Sequence, residues 1–269
     1  MARTNRPLTS REYKLMLNPD RFANRGGGIA AFHDLLEFLF ERLGVEEVKR
    51  KDVNKDRRTW YVDTAGHALR QAGFVLRVRK QIGEEKPFKV TMKHRGPDRY
   101  IAAVHRIDSK RGETKFEEDI LPPFISRFSY SRSLCYKKAP SFRNLGDVRK
   151  VFAGLPKLEA PNRRWLERVN DFKATEIAYD LCTFKPAGGT KVEAGLSFWY
   201  LPEVRTGPPL VGEFAMSYEA LKNGGEHELE QFAPETVEAC RKLFRAMQQQ
   251  ANWFSLGLTT KTAFAYDFE

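Results

Sequence analysis

The chain has 269 residues, 41% hydrophobic and 30% charged, which excludes a disordered or fibrous polymer and leaves room for a large core. Lysine and arginine number 46 against 35 aspartate and glutamate, a formal charge of +11 that favours anionic partners such as nucleotides, polyphosphate, nucleic acid or an acidic membrane surface. No apolar run approaches the roughly 18 residues of a membrane span, and no apolar h-region follows the basic start "MARTNRPLTSREY", so neither insertion nor export is expected.

The first element is "SREYKLML", residues 10–17. Tyr13, Leu15 and Leu17 share one face at the period-two spacing of a strand, and Ser10, Glu12 and Lys14 share the other. "NRGGG" reads as a flexible connection, without the GxxxxGK[ST] spacing of a phosphate loop. "AAFHDLLEFLFERLG" then repeats Phe32, Leu35, Leu36, Leu39, Phe40 and Leu43 at helical spacing and stops at Gly44. Strands are expected at 57–64, 73–80, 87–95 and 113–121, separated by turn-like "IGEEKP" and "SKRGE". Residues 121–162 are less regular and read as a helical insertion around "NLGDVRKVFAGL". Strands return near 172–181, 190–201 and 209–218, and a C-terminal helix is expected at about 234–255. No internal repeat interrupts the pattern, so one domain over 1–269 is expected.

Cys135, Cys182 and Cys240 are odd in number and widely spaced, unlike a zinc site or a disulfide framework, and suit a reducing cytoplasm. "GEHELEQ" places His227 between glutamates but lacks the HExxH spacing of a zinc helix, so it reads as a solvated loop or helix start. The aromatic "LSFWYLPE" reads as packing of a barrel strand rather than a base-stacking platform.

Each later strand repeats the division of the first. Phe74, Leu76 and Val78 oppose Arg77 and Arg79; Phe88, Val90 and Met92 oppose Lys89, Thr91 and Lys93; Phe116 and Ile120 oppose Lys115, Glu117 and Asp119. Val192, Ala194, Leu196 and Phe198 oppose Lys191, Glu193 and Ser197, and Phe214, Met216 and Tyr218 oppose Glu213, Ala215 and Ser217. One such strand alone is an ordinary sheet, apolar inside and polar toward water. Here the bases gather on the middle strands as Arg77, Arg79 and Lys93, while acids recur as Glu12, Glu117, Asp119 and Glu213. Phosphate oxygens take arginine forks and lysine point charges, and a divalent ion takes carboxylate oxygens. A closed eight-stranded barrel would turn every charged face inward and every apolar face outward against the two amphipathic helices.

"SREYK", "YVDT", "LRVRK", "TMK", "KFEED", "VGEF" and the late "TTKTAFAY" resemble, in order and rough spacing, the motifs of the CYTH, or triphosphate tunnel metalloenzyme, superfamily. The resemblance runs from residue 10 to about 266. It implies an α+β fold built on a closed eight-stranded antiparallel tunnel that binds triphosphate compounds with Mg²⁺ or Mn²⁺. Glu12 and Lys14 match the end of the family's ExExK, Arg77 and Arg79 its LRxR, and Lys93 its TxK lysine. Lys115, Glu117 and Asp119 stand where RxExE is expected, Glu213 lies on the late acidic strand, and Lys261 matches the C-terminal lysine. The resemblance thus implies Lys14, Arg77, Arg79, Lys93, Lys115 and Lys261 for substrate, Glu12, Glu117, Asp119 and Glu213 for metal, and Glu117 and Asp119 as candidates to orient an attacking water.

Ser10 stands where the first glutamate of ExExK belongs, and Ala215 replaces a second expected acid. Mg²⁺ commonly uses one or two carboxylates together with phosphate oxygens, so a one-metal site survives these changes better than a two-metal site. The roles of Glu176, Asp180 and Glu193 are left open. The leading expectation is a metal-dependent triphosphate phosphohydrolase acting on inorganic, nucleoside or thiamine triphosphate. The alternatives are a non-catalytic polyphosphate or nucleotide-binding module with a degraded metal site and, less favoured, a CYTH-type adenylyl cyclase. Neither a membrane partner nor specific nucleic-acid binding is expected, since no helix-turn-helix or stacking motif accompanies the charge.

Overall fold

The computed structural model describes residues 6–268 except 46, 84–86, 106, 108, 110, 222–230, 256, 258 and 259; His227 lies outside the described residues. In chain order the elements are β1 (Ser10–Leu17), α1 (Arg25–Leu43), β2 (Glu47–Asp63), α2 (Ala68–Gln71), β3 (Phe74–Gln81), β4 (Phe88–Gly96), α3 (Arg99–Val104), β5 (Glu113–Leu121) and β6 (Ile125–Tyr136). There follow α4 (Leu145–Val151), β7 (Glu167–Arg168), β8 (Ala174–Phe184), β9 (Val192–Tyr200), β10 (Val211–Glu219), α5 (Pro234–Gln248) and α6 (Lys261–Tyr266).

The strands close in the order β3-β4-β6-β5-β1-β10-β9-β8-β2, with β2 pairing back onto β3, while β7 pairs with β2 outside the ring. The expected fold class, a closed barrel with helices outside, is therefore present, but with nine staves instead of eight. A ring of purely antiparallel pairs needs an even number of strands. Nine strands demand a parallel contact, and it falls between β1 and β5, where Ser10 faces Glu117 and Glu12 faces Asp119 in register.

The ninth stave is β6, in the stretch expected to be a helical insertion. Its sequence "ISRFSYSRSLCY" alternates Arg127, Ser129, Ser131 and Ser133 with Phe128, Tyr130, Arg132 and Leu134. Serine on the tunnel side removes the charged face that marks the other strands, which makes 121–162 look irregular. Helix is confined there to α4. The C-terminal helix ends at Gln248, short of the expected 255, and β2 begins at Glu47, ten residues before the expected strand.

The apolar faces point outward and are covered. Phe32, Leu36, Leu39 and Phe40 of α1 and Leu243, Phe244 and Met247 of α5 pack on Tyr13, Leu15, Leu196, Phe198 and Phe214. On the opposite wall Leu145 and Val148 of α4, with Phe152, Leu155 and Leu158, cover Phe74, Leu76, Val90, Met92 and Phe116. Each such side chain contributes about 1.5–3 kcal/mol when removed from water. The glycines of "NRGGG" lie in the first turn of α1 rather than in a free loop. Asn24 caps that turn by accepting from the Gly27 N–H at 3.1 Å, and a Cβ at Gly28 would lie 2.4 Å from the Arg21 carbonyl oxygen.

Candidate functional site

The barrel encloses a cavity of 1220 Å³, and among the described residues that line it thirteen are basic and six acidic. Glu12 and Lys14 reach it from β1, Arg57 and Tyr61 from β2, Arg77 and Arg79 from β3, Thr91, Lys93 and Arg95 from β4, Glu117 from β5, Ser131 and Ser133 from β6, Ser197 from β9, Glu213 and Ala215 from β10, and Lys261 from α6. The period-two alternation of the strands thus becomes a radial sorting, with charge inside and the core outside.

Two fully buried carboxylates organise the charges. Asp119 accepts from Lys14 Nζ at 2.7 Å, Lys93 Nζ at 3.3 Å, Ser129 Oγ at 2.9 Å and the Arg95 guanidinium. Burial alone would raise its carboxyl, but Arg95, Lys14 and Lys93 outweigh burial and hold it well below the usual carboxylate range. Glu176 accepts a two-pronged contact from Arg57 at 2.7 and 3.0 Å, with the Thr59 hydroxyl at 2.8 Å and Lys261 Nζ at 3.3 Å. Burial again opposes, and Arg79, Arg57 and Lys261 again win, so this carboxylate too stays ionised well below its usual range. Glu213 is held low in the same way, chiefly by Lys261 at 2.9 Å against the cost of burial.

The cations are only partly compensated. Burial, with repulsion from Arg77 and Arg57, pushes Arg79 down to about 9 in spite of Glu176, 3.4 Å from its Nε. The Nε atoms of Arg77 and Arg79 are buried without a hydrogen-bond partner. Lys93 is lowered by burial and by Arg95 and Lys14, even with Asp119 beside it. Unmet guanidinium donors inside a cavity are costly unless something anionic takes them.

The structure brings Lys14, Arg77, Arg79, Lys93 and Lys261 to the wall of one cavity and places Lys115 at its exposed rim, 3.9 Å from Glu113. The four expected metal ligands divide. Asp119 is saturated by bases and Glu213 is engaged by Lys261, and among the described residues no three His, Cys, Asp or Glu side chains gather into a cation site. Glu12 and Glu117 remain. Burial, then Asp119 and Glu117, raise the Glu12 carboxyl against the pull of Lys14 at 2.7 Å. Glu117 accepts from the Ser10 hydroxyl at 3.2 Å and has Lys93 at 3.9 Å. Glu12 and Glu117 lie on neighbouring strands β1 and β5, and two such carboxylates fit one hard cation that completes its shell with other oxygens.

Of the residues left open, Glu176 is the inner counter-ion, whereas Asp180 and Glu193 pair with Lys55 and Lys191 at the exposed rim, at 2.9 and 2.7 Å. Arg57, Arg95 and Ser129 were missed as site residues. Arg57 shares the inward face of Thr59 and Tyr61, and Arg95 lies two residues beyond Lys93, so strand period carried a signal for both. Trp199, from the aromatic stretch read as packing, lines the cavity with its Nε1 unpartnered. At one end α6 is tied down by Tyr266, which donates to Asp63 at 3.0 Å, and by Asn170, which donates to the Tyr266 carbonyl at 2.7 Å.

No family model matches the chain, and no curated protein matches it. Among solved structures it is similar to HpAC1 from Hippeastrum, described as an adenylyl cyclase candidate with a dominant triphosphatase activity, at 10% identity and a TM-score of 0.46 over 96% of this chain and 95% of that one. An adenylate cyclase candidate from Bacillus halodurans aligns at 11% identity and a TM-score of 0.39, covering 97% and 100% of the two chains. One from Vibrio parahaemolyticus aligns at 12% and 0.35, covering 95% and 94%. At such values the reading of the site rests on its own residues.

Proposed function

We propose that this chain is a divergent CYTH-type triphosphate tunnel protein that binds a triphosphate-bearing anion together with Mg²⁺ or Mn²⁺ and hydrolyses it. The observation that carries this reading is the set of half-buried cations, Arg77, Arg79 and Lys93, left under-compensated around one cavity. A linear chain of phosphates supplies what they lack: several closely spaced anionic oxygens that can accept from forks and point charges along a tunnel.

Arg77 and Arg79 would bind the phosphate chain from one wall and Lys93 and Arg95 from the next, while Lys261 reaches in from α6. Glu12 and Glu117 would hold the divalent ion. That ion would supply charge neutralisation at the phosphoryl oxygens. Glu117, the less encumbered of the two carboxylates first considered for the role, would orient the attacking water; Asp119, with its oxygens taken by Lys14, Lys93, Arg95 and Ser129, serves to fix the bases. Positioning and electrostatics would then provide nearly all of the catalysis.

The second reading, binding without turnover, is favoured by Ser10 and Ala215 and by the absence of a three-carboxylate cluster among the described residues. No separate feature favours the cyclase. A phosphate-release screen of tripolyphosphate, ATP, GTP and thiamine triphosphate with Mg²⁺ and Mn²⁺, beside a thermal-shift series, separates the readings. Release from one substrate supports the hydrolase, stabilisation without release supports the binding module, and neither response refutes both.

A further inference from the structure

We propose that the outer wall of the barrel carries a track for single-stranded nucleic acid, centred on the exposed Trp165 and the basic side chains that flank it, with the half-buried Trp60 at its margin. The tunnel does not account for the chain's positive charge by itself. From the end of β6 through β7, residues 137–168 hold nine basic against three acidic residues, more than half of the formal excess in the whole chain. This segment buries Leu145, Val148 and Phe152 against the barrel and turns Arg143, Arg163, Arg164 and Arg168 to the solvent. Trp165, in their midst, is 70% exposed.

That tryptophan is carried on a fixed backbone. Asn144 and Trp165 form a bridge, flanked by Leu145 N–H donating to the Arg164 carbonyl at 3.2 Å and Leu166 N–H donating to the Arg143 carbonyl at 2.9 Å. Arg143, Arg163 and Arg164 have no carboxylate partner among the described residues. The track continues through β7, where Arg168 lies in register with Val62 of β2, two residues beyond Trp60. Lys173 Nζ stands 5.6 Å from the centre of the Trp60 ring. Its ammonium is lowered by burial and then by Arg58 and Arg168, a sign of positive potential that Glu203 only partly offsets. Asp171 takes one contact of Arg168, at 2.7 Å, Asp147 accepts from the Arg143 backbone N–H at 3.1 Å, and Glu167 lies between Trp165 and Arg168 in sequence.

An exposed indole among exposed guanidinium groups suits a strand whose bases offer π-faces and whose backbone offers phosphates. Duplex fits less well, because α3 and α4 span six and seven residues and provide no long helix for a major groove. An acidic peptide would use the arginines and leave Trp165 idle. This surface owes nothing to the occupant of the tunnel, and competition separates the two.

The test is fluorescence anisotropy of a labelled oligouridylate of about 12 nucleotides, at about 50 and 200 mM salt. Saturable binding is expected, insensitive to tripolyphosphate at tunnel-saturating concentration and to Arg77→Ala. Trp165→Ala and the double change Arg163→Ala with Arg164→Ala should each weaken it at least about fivefold, with Trp165→Phe retaining most of the affinity. The double change should also flatten the log–log salt slope by about 0.7 for each phosphate that an arginine no longer neutralises. Both sites are exposed, so unchanged thermal melts are expected. Absence of saturable binding would overturn the proposal. So would displacement by tripolyphosphate, loss in Arg77→Ala alone, or preference for polyglutamate or phosphatidylserine vesicles over the oligonucleotide.

Discussion

Glu176→Gln isolates the counter-charge of the basic wall. In the native site this buried carboxylate takes two contacts from Arg57, one from Thr59 and one from Lys261, with Arg79 Nε at 3.4 Å. Glutamine keeps the volume and one acceptor but removes the negative charge, and it turns an amide N–H₂ toward groups that are themselves donors. Hydrogen bonds to charged groups contribute about 1.5–3 kcal/mol each, though not additively, and removing one partner of a buried ion pair costs about 3–5 kcal/mol. The expected loss is therefore about 3–5 kcal/mol, or roughly 6–15 °C in melting temperature for a chain of this size. Tripolyphosphate should close part of the gap, because its oxygens take over Arg57, Arg79 and Lys261. Differential scanning fluorimetry with and without saturating tripolyphosphate, backed by urea unfolding, measures both effects. A gap that stays constant or widens when the ligand is present would refute the reasoning, since it would mean that these cations do not face a common anion site.

Arg77→Ala and Arg79→Ala should each weaken tripolyphosphate binding by about 1.5–3 kcal/mol in isothermal titration, because each loses charge-assisted bonds to the same anion; unchanged affinity in both, with the fold intact, would place the basic face outside the binding event. Glu12→Gln and Glu117→Gln should reduce the extra thermal stabilisation that Mg²⁺ or Mn²⁺ adds to tripolyphosphate, whereas the metal-free shift should persist. Stability should fall on acidification: Asp119 and Glu176 are ionised well below their usual range, so their contribution is full above an unfolded value near pH 4 and is lost as pH drops through their folded values. His94, pushed down to about 4 by burial and His105, adds a loss that begins below about pH 6.5, and urea midpoints from pH 7 to 3 would read both. Ser10→Glu should strengthen metal binding in the presence of triphosphate and lower stability in its absence; identical denaturation curves under both conditions would mean that the added carboxylate lies outside the cavity.

Alternation alone made the two faces of β1, β3, β4, β5, β9 and β10 legible, because arginine, lysine and glutamate contrast sharply with phenylalanine, leucine and valine at every second position. β6 hid because its tunnel face is serine: Ser129, Ser131 and Ser133 contrast too weakly with Tyr130 and Leu134 for period two to stand out. Missing that stave also concealed the parallel contact of β1 with β5, for the parity of the ring cannot be counted with a strand absent. The site was legible as a set of inward charges but not as a network. Sequence spacing places Asp119 and Glu213 on inward faces, yet which carboxylates are neutralised by lysine and arginine depends on cross-barrel distances that only closure creates.

Those distances change what the missing acids mean. Asp119, Glu176 and Glu213 are occupied in holding cations in place, so they have little charge to offer a metal. Only Glu12 and Glu117 remain, and Glu12 is already raised toward its neutral form by burial and by its acidic neighbours. A divalent ion arriving alone would meet two carboxylates amid excess positive charge, and Coulomb repulsion from Lys14 and Lys93 would oppose it. Under the proposed function, phosphates covering Arg77, Arg79 and Lys93 would make the same position electronegative and supply oxygens for the coordination shell. Metal and triphosphate should therefore bind with positive coupling, each raising the affinity of the other by the same factor. Under the same proposal a carboxylate at position 10 would hold the ion in advance and weaken that dependence, which is what Ser10→Glu would measure.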